Sequence, residues 1–170
     1  MRLIYRAAAL AAAAFSLLAL TACDPQRISE LKEGVSTEAD VRDRFGAPEN
    51  VWDEPGGART FEYNRQPAGQ VNYMITIGPD GRMIALRQVL TPETFARVVP
   101  GMRMDEVRRL LGKPAKATPY ELKKETWVDW RYLEARNQAK VFTVVHGPDL
   151  VVLRTQSGAD LDAPEFKGGK

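Results

Sequence analysis

Apolar residues recur along the chain at two spacings, and the two spacings alternate in the same order twice. Val41 and Phe45, and later Val107 and Leu111, stand four residues apart, which puts each pair on one face of a helix. Phe61 and Tyr63 alternate with polar neighbours over 59–64. Val71, Tyr73, Ile75 and Ile77 alternate strictly with Asn72, Met74 and Thr76. A period of two predicts strands of a sheet with one buried face.

Local signals place the boundaries. Residues 26–33 predict a short helix, with Asp24 as its cap, Pro25 in its first turn and Gly34 as its stop. A second helix is expected from Ser36 or Thr37 to Phe45, where Thr37 and Asp40 approximate a capping box. A loop with Pro48, Pro55, Gly56 and Gly57 follows and carries Trp52. Strands over 59–64, 71–77 and 82–90 come next, with Gly78-Pro79-Asp80-Gly81 turning the last two into a hairpin. Thr91 and Pro92 then open another helix, expected through Val98 or Val99, and 104–111 predicts one more. The stretch 113–124, with Pro114 and Pro119, reads as a loop, and strands are expected over 125–132, 140–146 and 150–155.

The order repeats because a phrase repeats. Gly34, Val41, Gly46 and Pro48 in the first half answer Gly101, Val107, Gly112 and Pro114 in the second. From the valine onward the spacing is identical, with a closing glycine suited to a left-handed position and a proline that stops the helix. Phe61 aligns with Trp127, Gly78 with Gly147 and Leu86-Arg87 with Leu153-Arg154, at offsets of 66 to 69 residues. The predicted fold is α+β: two tandem helix-helix-three-strand (ααβββ) repeats with antiparallel sheets. The expected organisation is a signal segment over 1–22, repeats over 23–90 and 91–157, and a loose tail over 158–170.

The N-terminus changes how the rest is read. Arg2 and Arg6 precede an apolar run over 7–20, too short for the ~20 residues that span a bilayer. Leu20-Thr21-Ala22-Cys23 resembles the lipobox of bacterial lipoproteins, which makes Cys23 the expected site of a covalent lipid. Cys23 is the only cysteine, so no internal disulfide is expected; a free thiol is the other reading of that residue. Removing 22 residues from 170 leaves 148, with 22 basic residues against 22 acidic ones. A charge of zero predicts no nucleic-acid partner.

Little in the sequence is arranged for chemistry. His146 is the only histidine and stands at a strand end, so neither a histidine metal site nor a Cys-His nucleophile can be assembled. The glycine pairs bracket helices and lack phosphate-loop spacing. Asp53/Glu54 and Asp105/Glu106 fit helix-dipole or loop roles. No catalytic residue, metal, small-molecule substrate or cofactor is expected beyond the lipid on Cys23. Arg42, Arg44, Arg108 and Arg109 fit either a solvated helix face or contact with acidic lipid headgroups or an acidic partner surface.

Aromatic residues are the better candidates for an interface: Trp52, Tyr63, Tyr73, Trp130 and Tyr132. Trp127 and Trp130 differ in parity, so either their strand is bulged or one tryptophan faces outward. A core packed under the helices is the competing reading for all of them.

A lipobox cysteine, a short helix, the Gly…Val…(Leu/Phe)-Gly-x-Pro phrase and three strands together resemble the SmpA/OmlA (BamE-like) domain of small envelope lipoproteins. The likeness covers 27–90 once and 91–155 a second time. It implies a non-catalytic, periplasm-facing adaptor bound to the membrane by its lipid, with an envelope protein partner such as the outer-membrane β-barrel assembly machinery. The tandem arrangement is also similar to beta-lactamase inhibitor proteins, which implies an enzyme-binding inhibitor or sensor as the alternative. The outer membrane is the expected location, while Asp24 after the lipidated cysteine points to the inner membrane.

Overall fold

Two four-stranded antiparallel meanders are each entered through a helix. The computed structural model describes residues 28–163, so Cys23, the signal segment, the start of the first expected helix and 164–170 lie outside the described residues. Of that first helix, Ile28 and Ser29 are helical, and the chain has left the helix by Leu31. Glu33–Lys170 is one compact unit that includes both copies.

In the first copy, helix α1 (Glu38–Phe45) leads into strands β1 (Asn50–Asp53), β2 (Arg59–Asn64), β3 (Asn72–Ile77) and β4 (Met83–Gln88), paired in that order. In the second, α2 (Pro92–Phe95) and α3 (Met104–Leu111) lead into β5 (Lys116–Tyr120), β6 (Glu125–Glu134), β7 (Gln138–His146) and β8 (Val152–Ala159). Each sheet therefore has four strands, one more than expected. β1 and β5 lie where proline-rich loops were expected. Both are edge strands, where Pro119 forfeits no bond that the ladder needs. α2 is shorter than expected: after Phe95 the chain tightens into i→i−3 bonds, Arg97 N donating to the Thr94 carbonyl at 3.1 Å and Val98 N to the Phe95 carbonyl at 3.0 Å.

The caps explain α1 and α3. Thr37 Oγ1 accepts from Asp40 N at 3.2 Å and Asp40 Oδ2 accepts from Thr37 N at 2.7 Å. In α3 only the second half survives: Glu106 Oε2 accepts from Arg103 N at 2.7 Å. Both helices close on glycine at positive φ, Gly46 (φ 81, ψ −159) and Gly112 (φ 74, ψ −166). The extended ψ differs from the left-handed helical cap expected, but only glycine tolerates it easily.

The two copies correspond in detail, at a register one residue off the expected one. Tyr63 Oη donates to the Gly46 carbonyl at 3.2 Å, and Trp130 Nε1 donates to the Gly112 carbonyl at 3.0 Å. An aromatic on the second strand thus holds the closing glycine in each copy, at an offset of 67. Phe61 then matches Val128, not Trp127. A bulge interrupts β3/β4 at Thr76/Ile77 and β7/β8 at Val145/His146, so the extra residues Ile84 and Leu153 correspond. Leu86 is accordingly the counterpart of Thr155.

The layers run α1, first sheet, α3, second sheet. Phe45 of α1 lies 4.9 Å from Tyr63 and 5.4 Å from Tyr73, centroid to centroid. Val107 and Leu111 of α3 join Phe95, Val128, Trp130, Phe142 and Val144 in the core of the second copy. Met74, from the far face of the first sheet, belongs to the same core. Sequence alternation predicts one buried face for this sheet, yet Asn72 and Met74 are as buried as Ile75. The cause is the second copy: Asn72 Nδ2 donates to the carbonyls of Leu111 (2.8 Å) and Lys113 (3.0 Å).

The expected loose tail is partly built in. Gly158 and Ala159 belong to β8, Asp160 is buried against Arg131 (2.6 Å), and Ala163 is buried.

Candidate functional site

Three of the five aromatic interface candidates are core residues. Tyr63, Trp130 and Tyr132 expose almost no surface, and a side chain without accessible surface offers nothing to a partner. Tyr132 packs edge-on to Phe95 at 4.8 Å, and Phe95 stacks on Phe142 at 4.1 Å. Tyr73 is half-buried against Phe45. Trp52 is half-buried on β1, with Arg109 4.8 Å above its ring and its Nε1 donating to Glu62 Oε2 at 3.2 Å. Gly34, Val41, Gly46, Pro48, Gly101, Val107, Gly112 and Pro114 lie at helix entries, cores and exits.

Trp52 reports on a site the sequence did not reveal, the polar joint between the copies. Glu62 is fully buried, although it reads as the solvent-facing member of an alternating strand. Its Oε1 accepts from Arg108 Nη2 (3.0 Å), Lys113 N (3.0 Å) and Asn64 Nδ2 (2.7 Å). A buried carboxylate needs this many donors to repay its lost hydration. Gln66, on the β2–β3 loop, adds a second tie: its amide donates to the Arg131 carbonyl (2.7 Å) and accepts from Arg131 N (3.3 Å), beyond the end of β5. These contacts join structure to structure.

Aromatic and charged groups gather instead on the outer face of the second sheet, with Tyr120, Lys123 and Arg154 exposed and Trp127 half-buried. β6 runs without a bulge, so Trp127 faces opposite to Val128 and Trp130. Its ring lies 4.9 Å from that of Tyr120 on β5. Lys123 Nζ stands 5.4 Å from the Trp127 centroid, and Arg154 Cζ stands 5.8 Å from it. Glu125 orients the group, accepting from Trp127 Nε1 (2.8 Å) and from Arg154 Nη1 (2.8 Å) and Nη2 (3.1 Å). The bonds from Arg154 first, then Trp127, hold its carboxyl down to about 2. Between Tyr120 and Glu125, Lys124 at φ 52 closes a tight turn, whose tip Leu122 is wholly exposed at 104%. A notch of about 210 Å3 lies beside Tyr120, walled by Pro119, Thr126, Pro148 and Leu150.

Elsewhere the chemistry is muted. His146 is buried, neither ring nitrogen makes a sound hydrogen bond, and burial pushes its pKa below 6.5, opposed in part by the backbone of Thr126 and Val144. A cleft of about 520 Å3 beside α3 is floored by Met104, Pro114, Ala117 and Val128. Its arginines are already engaged, Arg103 with Asp105 and Arg108 with Glu62. Among the described residues, no group of three or more His, Cys, Asp or Glu side chains is placed to hold a metal, and no helix is long and apolar enough to cross a membrane.

No family model and no curated protein matches the chain. Two solved structures are similar to it. One is the DUF4309 family protein YjgB of Bacillus subtilis subsp. subtilis str. 168, at 22% identity and a TM-score of 0.31, covering 80% of this chain and 86% of that one. The other is a protein provisionally named a beta-lactamase inhibitor, from Streptococcus mutans, at 11% identity and a TM-score of 0.34, covering 75% and 84%. The likeness to the SmpA/OmlA domain rests on the sequence phrase alone.

Proposed function

We propose that the chain is a non-catalytic binding module of the bacterial cell envelope, lipid-anchored at Cys23, facing the periplasm and holding a protein partner on the outer face of its second sheet. The observation that carries the binding surface is the Tyr120–Trp127 pair with Leu122 at full exposure beside it. Aromatic rings fixed by neighbours lose little freedom on binding, and an apolar tip next to a notch supplies an anchor. The Gly…Val…Gly-x-Pro phrase and the lipobox support the envelope setting, and an adaptor in barrel assembly is the role they favour. An enzyme captured in place of an assembly factor would turn the reading toward an inhibitor.

The test is photo-crosslinking in intact envelopes from a reactive residue placed next to Leu122, comparing the parent chain with Leu122→Asp. Leu122 touches so little that the substitution should leave the melting temperature unchanged while the crosslinked adduct disappears. An adduct that survives Leu122→Asp would remove this face from the account. Cys23→Ser should separately abolish incorporation of a fatty-acid analogue.

A further inference from the structure

The duplication allows one sheet edge to be compared with the other, and the two are finished differently. In the first copy, β4 is an edge strand whose opening residue is tied down by the preceding loop: Gly34 N donates to the Met83 carbonyl at 2.7 Å and Met83 N to the Ser36 carbonyl at 2.8 Å. The next outward amide, Leu86 N, is capped by Glu33 Oε1 at 2.9 Å, and Arg87 holds that carboxylate in place. The bond from Leu86, more than the one from Arg87, pulls the Glu33 carboxyl below its ordinary range.

In the second copy, β8 begins the same way. Gly101 N donates to the Val152 carbonyl at 2.9 Å and Val152 N to the Met102 carbonyl at 2.8 Å. The cap is then missing. Pro100 precedes Gly101 where Glu33 precedes Gly34, and proline has no carboxylate to offer Thr155. Asp160 N donates to the Ala139 carbonyl of β7, so strand alternation turns Gly158, Gln156 and Arg154 toward β7, and Thr155, Ser157 and Ala159 away from it. No described residue bonds the outward amides and carbonyls of those three. β8 also runs on to Ala159, past the counterpart of the end of β4, with every residue from Leu153 exposed.

An open edge is a template for another strand, and proteins usually blunt it with lysine or proline. The stretch Thr155-Gln156-Ser157-Gly158-Ala159 has neither, and no charge at all. Its pattern is also self-complementary. Laid antiparallel on a second copy about Ser157, Ser157 meets Ser157, and Thr155 meets Ala159 twice. That register uses all three outward residues and gives on the order of six hydrogen bonds. Leu153 and Leu161 stand four residues to either side of Ser157, 47% and 73% exposed, so each copy brings one toward the other's opposite leucine. We propose that two copies of this chain associate through antiparallel pairing of β8, a two-fold isologous interface that makes one continuous eight-stranded sheet from two second sheets. The surface is small, so association is weak and concentration-dependent, and confinement to a membrane surface would favour it.

Sedimentation of the full chain in mild detergent, from low micromolar to several hundred micromolar, tests this. The protein mass should rise toward that of two chains. Ser157→Pro removes only an outward amide, and Ser157→Lys sets two like charges face to face; each should abolish the dimer without moving the melting temperature. Ser157→Cys should give a disulfide-linked dimer on non-reducing gels, while Ile84→Cys and the parent chain do not, because paired strand residues lie within disulfide reach. A mass of one chain at every concentration would overturn the proposal. So would a dimer that persists in both Ser157→Pro and Ser157→Lys.

Discussion

Gly46 and Gly112 occupy the same place in the two copies, yet one methyl group should affect them very differently. Both have positive φ and extended ψ, a region nearly closed to other residues and costing them on the order of 1–3 kcal/mol. A Cβ on Gly46 would meet nothing within 4 Å, so Gly46→Ala should cost that strain and no more. A Cβ on Gly112 would lie 2.6 Å from Asn64 Oδ1, 3.0 Å from Asn72 Nδ2 and 3.4 Å from Met74 Cε. Neither asparagine can retreat freely. Asn64 Oδ1 accepts from Lys113 N at 2.9 Å, and Asn72 Nδ2 serves two carbonyls at the end of α3.

Each buried group left without its partner costs about 1–3 kcal/mol. Losing one or two such bonds should make Gly112→Ala worse than Gly46→Ala by about 2–4 kcal/mol. At about 2–4 °C per kcal/mol for a domain of this size, the two melting temperatures should differ by roughly 4–16 °C. Urea unfolding followed by fluorescence gives the free energies directly, and scanning calorimetry gives the temperatures. Adding Asn64→Ala should recover part of the Gly112→Ala loss and none of the Gly46→Ala loss, because only the first pair shares a contact. Equal costs for the two alanines, within about 0.5 kcal/mol, would refute the close approach of α3 to the first sheet.

Two further outcomes probe the buried polar groups. Glu62→Ala should cost about 2–4 kcal/mol by chemical denaturation, less than a fully orphaned ion because Arg108 still reaches water; a cost below about 0.5 kcal/mol would make the joint between the copies a surface feature. His146→Ile restores the residue that Ile77 supplies in the first copy, and should be near neutral above pH 7. Burial lowers the folded pKa of His146 below 6.5, so the folded state resists the proton and wild-type stability falls as pH drops through that window, by at most about 1.4 kcal/mol per pH unit. His146→Ile should escape that fall, and parallel pH profiles for the two proteins would exclude it.

Much of the local structure was legible, and what was lost depended on what packs against what. α3 has the bounds its phrase predicts, and α1 begins one residue after its capping threonine. The hairpin turns after Gly78 and Gly147 stand where glycine, proline and aspartate put them. β1 and β5 were hidden because proline breaks a central strand but only decorates an edge. The aromatic register was misread through a single step. Matching Phe61 with Trp127 sets a fully buried residue opposite a half-buried one on the other face, and a one-residue slip in a strand exchanges its faces. Glu62, Asn72 and Met74 read as an outer face because alternation records one covering layer, and here a second layer comes from the other copy.

That second layer also accounts for where the proposed binding face lies. Each sheet is covered on one side by helices of its own copy: α1 on the first, α2 and α3 on the second. The first sheet's other side is covered by α3 of the copy that follows, which consumes Glu62, Asn72 and Met74 in the joint. On the equivalent side of the second sheet Trp127 and Asp129 are only half-buried, where Glu62 of the first sheet is fully buried. Trp127, Tyr120 and Arg154 stand on that side, and the carboxylate of Asp129, the counterpart of Glu62, accepts from Thr143 Oγ1 of the neighbouring strand at 2.6 Å. The joint thus makes one face structural, and the binding face we propose is its twin on the second sheet. The same asymmetry applies at the edges, where Glu33 caps the first sheet and, among the described residues, nothing takes its place on the second.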